Sequence, residues 1–252
     1  MFDLTGRTAL VTGGARGLGL AMARALGTQG ARLMLMDRDA ASLDAAVGTL
    51  TGEGIEARSV IGDVTVPADT VRAVAEIRAA WQRVDIGVCN AGIALNVPAE
   101  DMTLEQWNAV MAVNLTGVFF TAQACGRAMI EQKSGSIVAI ASMSGLIVNV
   151  PQLQTAYNVS KAGVIMIVKS LAVEWAHYGV RVNAIAPGYM RTEMTAASFQ
   201  EPARGGVWLD LTPMKRAGEP PELGGAAVYL ASDASSFVTG QTLVVDGGYV
   251  LR

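Results

Sequence analysis

Sulfur and imidazole are scarce in this 252-residue chain: there are two cysteines, Cys89 and Cys125, and one histidine, His177. That is too few soft ligands for a Cys/His zinc site, so no metal is expected and zinc-dependent alcohol chemistry is disfavoured. Cys89 sits in an apolar strand-like run and Cys125 in a helical pattern, which reads as two buried, reduced thiols of a cytoplasmic protein. Charge is sparse too. Only 16% of residues are charged, and the net charge of −3 argues against nucleic acid or an anionic membrane as partner. No apolar run reaches the roughly 18 to 20 residues of a membrane span. The opening "MFDLTGRTALVTGG" carries Asp3 and no charged-then-apolar leader, unlike a signal peptide. No linker, repeat or low-complexity tract interrupts the chain.

Apolar residues are what the chain does have. They make up 51% of it, and the mean hydropathy is +0.36. This length can bury a full core as one domain. Short β-branched runs alternate with longer helical patterns. "TALVTGG", "ARLMLMD", "EARSVIGDV", "DIGVCNAG", "GSIVAIASMSG", "VRVNAIAPGYM" and "TLVVDGG" read as strands. Helical patterns separate them, the longest over 103–133 and 155–178, and a loop-rich stretch covers 191–218. The expectation is an α/β fold: a doubly wound parallel sheet of about seven strands with helices on both faces.

Between the first strand and first helix lies "TGGARGLG", with Gly13, Gly17 and Gly19 in a G-x-x-x-G-x-G spacing. Such a turn lets backbone approach a pyrophosphate and lets the helix pack closely on the strand. The helix N-terminus then offers free N–H groups to the phosphates. Asp37 ends the second strand, where a carboxylate can accept from ribose hydroxyls and repel a 2′-phosphate; capping the next helix is its plainer role. The reading favours NAD. NADP stays open because Arg16 or Arg38 could reach a 2′-phosphate.

Tyr157 and Lys161, in "TAYNVSK", fall one helical turn apart on the same face. They are either an ordinary surface pair or an acid with a tuned pKa. A free phenol titrates near 10. An ammonium at roughly 5 Å, at an effective dielectric near 20, favours phenolate by about 3 kcal/mol before screening. That would bring the phenol about two units toward neutrality.

With "GDV" at 62–64, "NAG" at 90–92, "VNLTG" at 113–117, Ser142, "PGYMRT" at 187–192 and "VVDGG" at 244–248, these pieces resemble the short-chain dehydrogenases/reductases across nearly the whole chain. Gly87 and Cys89 depart from that pattern, where larger aliphatic and asparagine residues are more frequent; local packing is expected to change rather than chemistry. The resemblance implies one Rossmann-type domain over 1–252 and a catalytic group of Asn114, Ser142, Tyr157 and Lys161. Tyr157 would be the general acid/base, Lys161 would lower its pKa and bind the nicotinamide ribose, and Asn114 would relay protons through water. It further implies a cofactor site of Gly13, Arg16, Gly17, Leu18, Gly19, Asp37, Arg38, Asp63, Val64, Asn90, Ala91, Gly92, Pro187, Gly188 and Thr192, together with Tyr157 and Lys161. In it Asp63 and Val64 would flank the adenine, Asn90 a ribose, and Thr192 the nicotinamide carboxamide.

"SMSG", "VNVPQ" and "YNVSKAG" are similar to polyol and ketose members of that family, which implies a sugar alcohol as substrate. Ser142, Met143, Asn149, Val150, Gln152, Tyr157 and Trp208 are the candidate substrate residues, under a lid over 191–218. Two other readings stay open: a 3-oxoacyl-(acyl carrier protein) reductase using NADPH, and a cofactor-binding protein without catalysis. Relatives commonly form tetramers through the long helices, whose apolar residues exceed one buried face, so a homotetramer is expected.

Overall fold

Thr8–Thr12 (β1) is buried at every position, as a central parallel strand must be when helices cover both faces of its sheet. In the computed structural model, which describes residues 1–251, six more strands join it. They are Arg32–Asp37 (β2), Ala57–Ile61 (β3), Ile86–Cys89 (β4), Gly135–Ile140 (β5), Val180–Pro187 (β6) and Thr242–Val245 (β7). The order is β3-β2-β1-β4-β5-β6-β7, and each neighbouring pair is parallel.

Strand periodicity sends alternate side chains to opposite faces. Leu10, Met34 and Met36 enter one core with Pro67–Trp81 (α3), Gly117–Gln132 (α5) and Thr155–Trp175 (α6). Ala9, Val11, Leu33 and Leu35 enter the other, with Gly17–Thr28 (α1), Ala40–Gly52 (α2) and Gly224–Ala231 (α9). From β1 the chain first builds outward through β2 and β3, then returns to β4 on the opposite flank. The strand order therefore reverses between β1 and β4, and a crevice opens at their carboxyl ends, the usual ligand position in such sheets.

Three sequence expectations change. The long helix at 103–133 is Leu104–Met111 (α4) joined to α5 through a π-helical turn, Ala112–Thr116, that contains Asn114. Length and composition would let the helix Leu104–Gln132 cross a membrane, contrary to the reading of the apolar runs; half of its most apolar window is buried, with Val118, Ala122, Cys125 and Met129 in the core. The stretch 191–218 is not mainly loop: it holds Glu193–Gln200 (α7), a second π-helical turn and Val207–Leu211 (α8).

Both cysteines are free and buried. Burial pushes both thiols up, Cys125 to about 12. Gly87 leaves room for this pair, since a Cβ there would lie 3.1 Å from Cys125 Sγ.

Candidate active site

The glycine loop is shaped by close approach. Gly13 and Gly17 have φ of +61° and +56°, a region that costs L-side chains dearly. A Cβ on Gly19 would overlap the Gly13 carbonyl oxygen and come within 2.6 Å of Asn90 Nδ2. Asn90 holds the loop from β4: its Nδ2 donates to Thr12 O and Gly13 O, both at 3.0 Å. The same Thr12 accepts at Oγ1 from the backbone N–H groups of Asn90 and Ala91, at 3.0 and 3.3 Å. Above Gly17 the space is open, since a Cβ there meets nothing within 4 Å. Helix α1 begins here with no side-chain cap and no acid in its first turn. Uncapped N–H groups facing open space beside a glycine cradle fit a pyrophosphate. Leu18 is half-buried beside them.

At the end of β2, Asp37 Oδ1 accepts from the N–H groups of Arg38 and Asp39, at 2.8 and 3.3 Å. Asp39, not Asp37, caps α2, accepting from Ser42 N at 3.1 Å, so Asp37 has no capping duty. Arg38 is exposed, whereas Arg16 reaches across to α7 and pairs with Glu193 at 3.5 Å. Asp63 folds back onto Thr65, accepting from its N and Oγ1 at 2.8 Å each. Val64 is buried against Gly117, where a Cβ would lie 2.8 Å from the valine side chain. Pro187 is buried at the end of β6, and Gly188 packs so near Asp246 that a Cβ would come within 2.7 Å. Thr192 opens α7, its N–H donating to Thr195 Oγ1 at 3.0 Å.

Across the crevice, α6 carries Tyr157 and Lys161. The Lys161 ammonium lies 5.6 Å from the Tyr157 ring centroid. It is almost fully buried, and desolvation draws its pKa down from 10.5 to about 8. Tyr157 departs from the sequence expectation. Desolvation of the ring raises its pKa, and the Ser142 hydroxyl beside it offsets only part of that rise. The ammonium is 2.7 Å from Ile140 O, to which it donates, rather than bonded to the phenol. Ser142 follows β5, is buried, and accepts from Ser144 N at 3.1 Å.

Asn114, wholly buried in the π-helical turn, is committed to its neighbours. Its Oδ1 accepts from Ile93 N at 2.8 Å, and its Nδ2 donates to Ile93 O at 2.9 Å and Ser160 Oγ at 3.2 Å. Gly92 sits where these groups meet: a Cβ there would be 3.4 Å from Asn114 Oδ1 and 3.6 Å from Lys161 Nζ.

The candidate substrate residues come together, but chiefly with one another. Asn149 Nδ2 and Gln152 Nε2 both donate to Tyr189 Oη, at 2.6 and 2.8 Å. Trp208 Nε1 donates to Gln152 Oε1 at 2.9 Å, and its indole stacks on the Tyr189 ring. Asn149, Gln152, Trp208 and Met143 are buried; Val150 is half exposed. Tyr189, Gln154 and Tyr249 belong to this cluster and were not singled out from sequence. For Tyr189 the signal was present, an aromatic residue directly after the Pro187–Gly188 turn.

A family model described as enoyl-(acyl carrier protein) reductase matches residues 13–250. The galactitol 2-dehydrogenase (L-tagatose-forming) of Cereibacter sphaeroides is 47% identical over 251 residues, covering 100% of this chain and 98% of that protein. The chain belongs to the short-chain dehydrogenase/reductase family. It is an oxidoreductase acting on CH–OH groups. A galactitol 2-dehydrogenase of Rhizobium johnstonii is 44% identical, covering 98% of this chain and 96% of its own. Among solved structures, a gluconate 5-dehydrogenase from Burkholderia cenocepacia J2315 in complex with NADP and tartrate superposes with a TM-score of 0.94 at 39% identity. That match covers 100% of this chain and 98% of the other.

Proposed function

We propose that this short-chain dehydrogenase/reductase is a polyol dehydrogenase that uses NAD to interconvert a secondary alcohol of a sugar alcohol with the corresponding ketose. Tyr157 and Lys161 carry this reading: they share one face of α6, the ammonium 5.6 Å from the phenol ring, with Ser142 beside the phenol. The galactitol dehydrogenases among its relatives support the substrate class. Asp37, free of capping duty, supports NAD, whereas the NADP held by the gluconate dehydrogenase marks the competing choice.

A nicotinamide nucleotide bound across the glycine loop supplies the hydride acceptor or donor. Gly13, Gly17 and Gly19 would hold its phosphates at the N-terminus of α1, and Asp37 would accept from the adenosine ribose. Asn90 holds the loop in shape. Ser142 donates to the substrate oxygen. Tyr157 Oη takes the hydroxyl proton in oxidation and returns it in reduction. Lys161 favours the phenolate by charge. Burial opposes this by raising the phenol, so Tyr157 would need a second positive charge beside it, which an oxidised nicotinamide would supply. Asn114 anchors the strand-end segment at Ile93 to α6, so a proton path past it runs through water rather than through its amide.

Residues 191–218 form the lid of this single Rossmann-type domain, and seven strands in one sheet support the one-domain reading. Val159, Met166 and Val173, spaced by seven along α6 and 42%, 59% and 81% exposed, support a homotetramer closed through helix faces. Free buried thiols fit a cytoplasmic setting.

Initial rates of nicotinamide reduction test the proposal, with NAD and NADP in parallel over sugar alcohols, simple secondary alcohols and a 3-hydroxyacyl thioester. Polyol turnover with NAD is expected. Turnover of the thioester alone, with NADP, would sink both the substrate and the cofactor assignment.

A further inference from the structure

We propose that Tyr189 is a positioning residue for polyol binding, whose hydroxyl fastens the helical lid to the segment between β5 and α6. The proposal rests on the polyol reading and extends it to a residue that touches neither Tyr157 nor the glycine loop in the hydrogen-bond pattern.

Three separated segments meet at this one ring. Asn149 and Gln152, from the segment after β5, both donate to its Oη, at 2.6 and 2.8 Å. Trp208, from α8 of the lid, stacks on its face with centroids 3.9 Å apart and planes within 9°. Tyr249, beyond β7, meets its edge at 5.3 Å. The lid is tied a second time, because Trp208 Nε1 donates to the same Gln152 that binds Tyr189. From Asn149 the pattern continues to the catalytic helix. Gln154 Nε2 lies 3.2 Å from Asn149 Oδ1 and 2.9 Å from Asn158 Oδ1, next in sequence to Tyr157.

The two amides that a polyol would be expected to find are therefore turned onto Tyr189. Asn149 and Gln152 are 3% and 9% exposed, so they shape the pocket from behind rather than present free donors to it. Among aromatic side chains only tyrosine does this. It accepts from two N–H donors at once, and its flat ring still leaves a face for the indole. Without the oxygen, two buried amide donors lose their partner, and the lid keeps only stacking and the Gln152 bond.

Tyr189→Phe in the full chain tests this. The expected result is a rise in polyol KM of about tenfold, the loss of one well-placed buried acceptor, with kcat changed much less. Trypsin cleavage after Arg191 and Arg204 in the lid accelerates, measured against cleavage at Arg24 and Arg38 in the same digest. Should Tyr189→Phe not fold, Trp208→Phe removes the Nε1 bond and part of the stacking surface while leaving the Tyr189 hydroxyl, and is expected to give the same two effects. An unchanged KM, a fall in kcat at fixed KM, or lid cleavage no faster than elsewhere would overturn the assignment. If the unmodified enzyme oxidises no polyol, the substrate proposal falls, while lid cleavage still decides whether Tyr189 is the fastening.

Discussion

The Lys161 ammonium donates to the carbonyl oxygen of Ile140, the last residue of β5, at 2.7 Å. One bond thus ties α6 to the strand that precedes Ser142. A backbone carbonyl satisfies one of three N–H donors without neutralising the charge, so burial still draws the lysine down to about 8.

That depression sets a pH dependence of stability. A lysine depressed in the fold binds fewer protons there than in the unfolded chain between about 8 and 10.5, so stability rises with pH across that window. The full contribution is present above the unfolded value and is lost as pH falls through the folded one. Lys161→Met should remove a rise of at most roughly 3 kcal/mol. Urea titrations of both proteins at pH 8 and pH 10 measure it; parallel slopes would count against the buried charge. Tyr157, raised in the fold, acts oppositely above its own unfolded value.

Tyr157→Phe removes the proposed proton acceptor and leaves the ring in place. Oxidation should slow by roughly 100- to 10,000-fold with little change in nicotinamide binding. Steady-state rates together with cofactor titration by tryptophan quenching separate the two.

Asp37→Ala should weaken selection against a 2′-phosphate. NAD use falls, and NADP use rises about tenfold or more as Arg38 becomes the nearest charge. The ratio of kcat/KM for the two nucleotides reads this, and an unmoved ratio would remove Asp37 as selector.

Gly19→Ala places a Cβ against the Gly13 carbonyl and Asn90 Nδ2. Backbone must shift, at a cost of about 2 kcal/mol. A melt should show Tm lower by about 4–8 °C. Gly17→Ala meets no such atom and is penalised only by its positive φ, so its melt should fall less.

Met166→Glu places a charge in the exposed apolar stripe of α6. If that face is covered in the assembly, light scattering should show a smaller species, because an unpaired charge cannot be buried cheaply. An unchanged mass would move the interface elsewhere.

What was legible in the sequence was local. The glycine loop follows β1 within a few residues, and Tyr157 and Lys161 are four apart on one helix, so periodicity alone put them in place. Asp39 rather than Asp37 as the cap is a two-residue matter that two aspartates flanking Arg38 blur. The π-helical turn at Asn114 was hidden because its composition suits an ordinary helix. The direction of the Tyr157 shift depends on how much protein surrounds the ring, which spacing does not reveal. The Tyr189 cluster joins residues 149, 152, 189, 208 and 249, and only the folded chain brings such distant positions together.

Asn90 holds the glycine loop from 77 residues down the chain, past two whole strands that insert elsewhere. Folding must therefore close a long segment before the loop acquires its shape, and that closure carries its entropy cost in advance of any reward. During synthesis β1, α1 and β2 can assemble early, yet the glycine loop waits for β4 to arrive. A chain stalled before residue 86 would hold every glycine of the loop and still lack the Asn90 bonds that shape it.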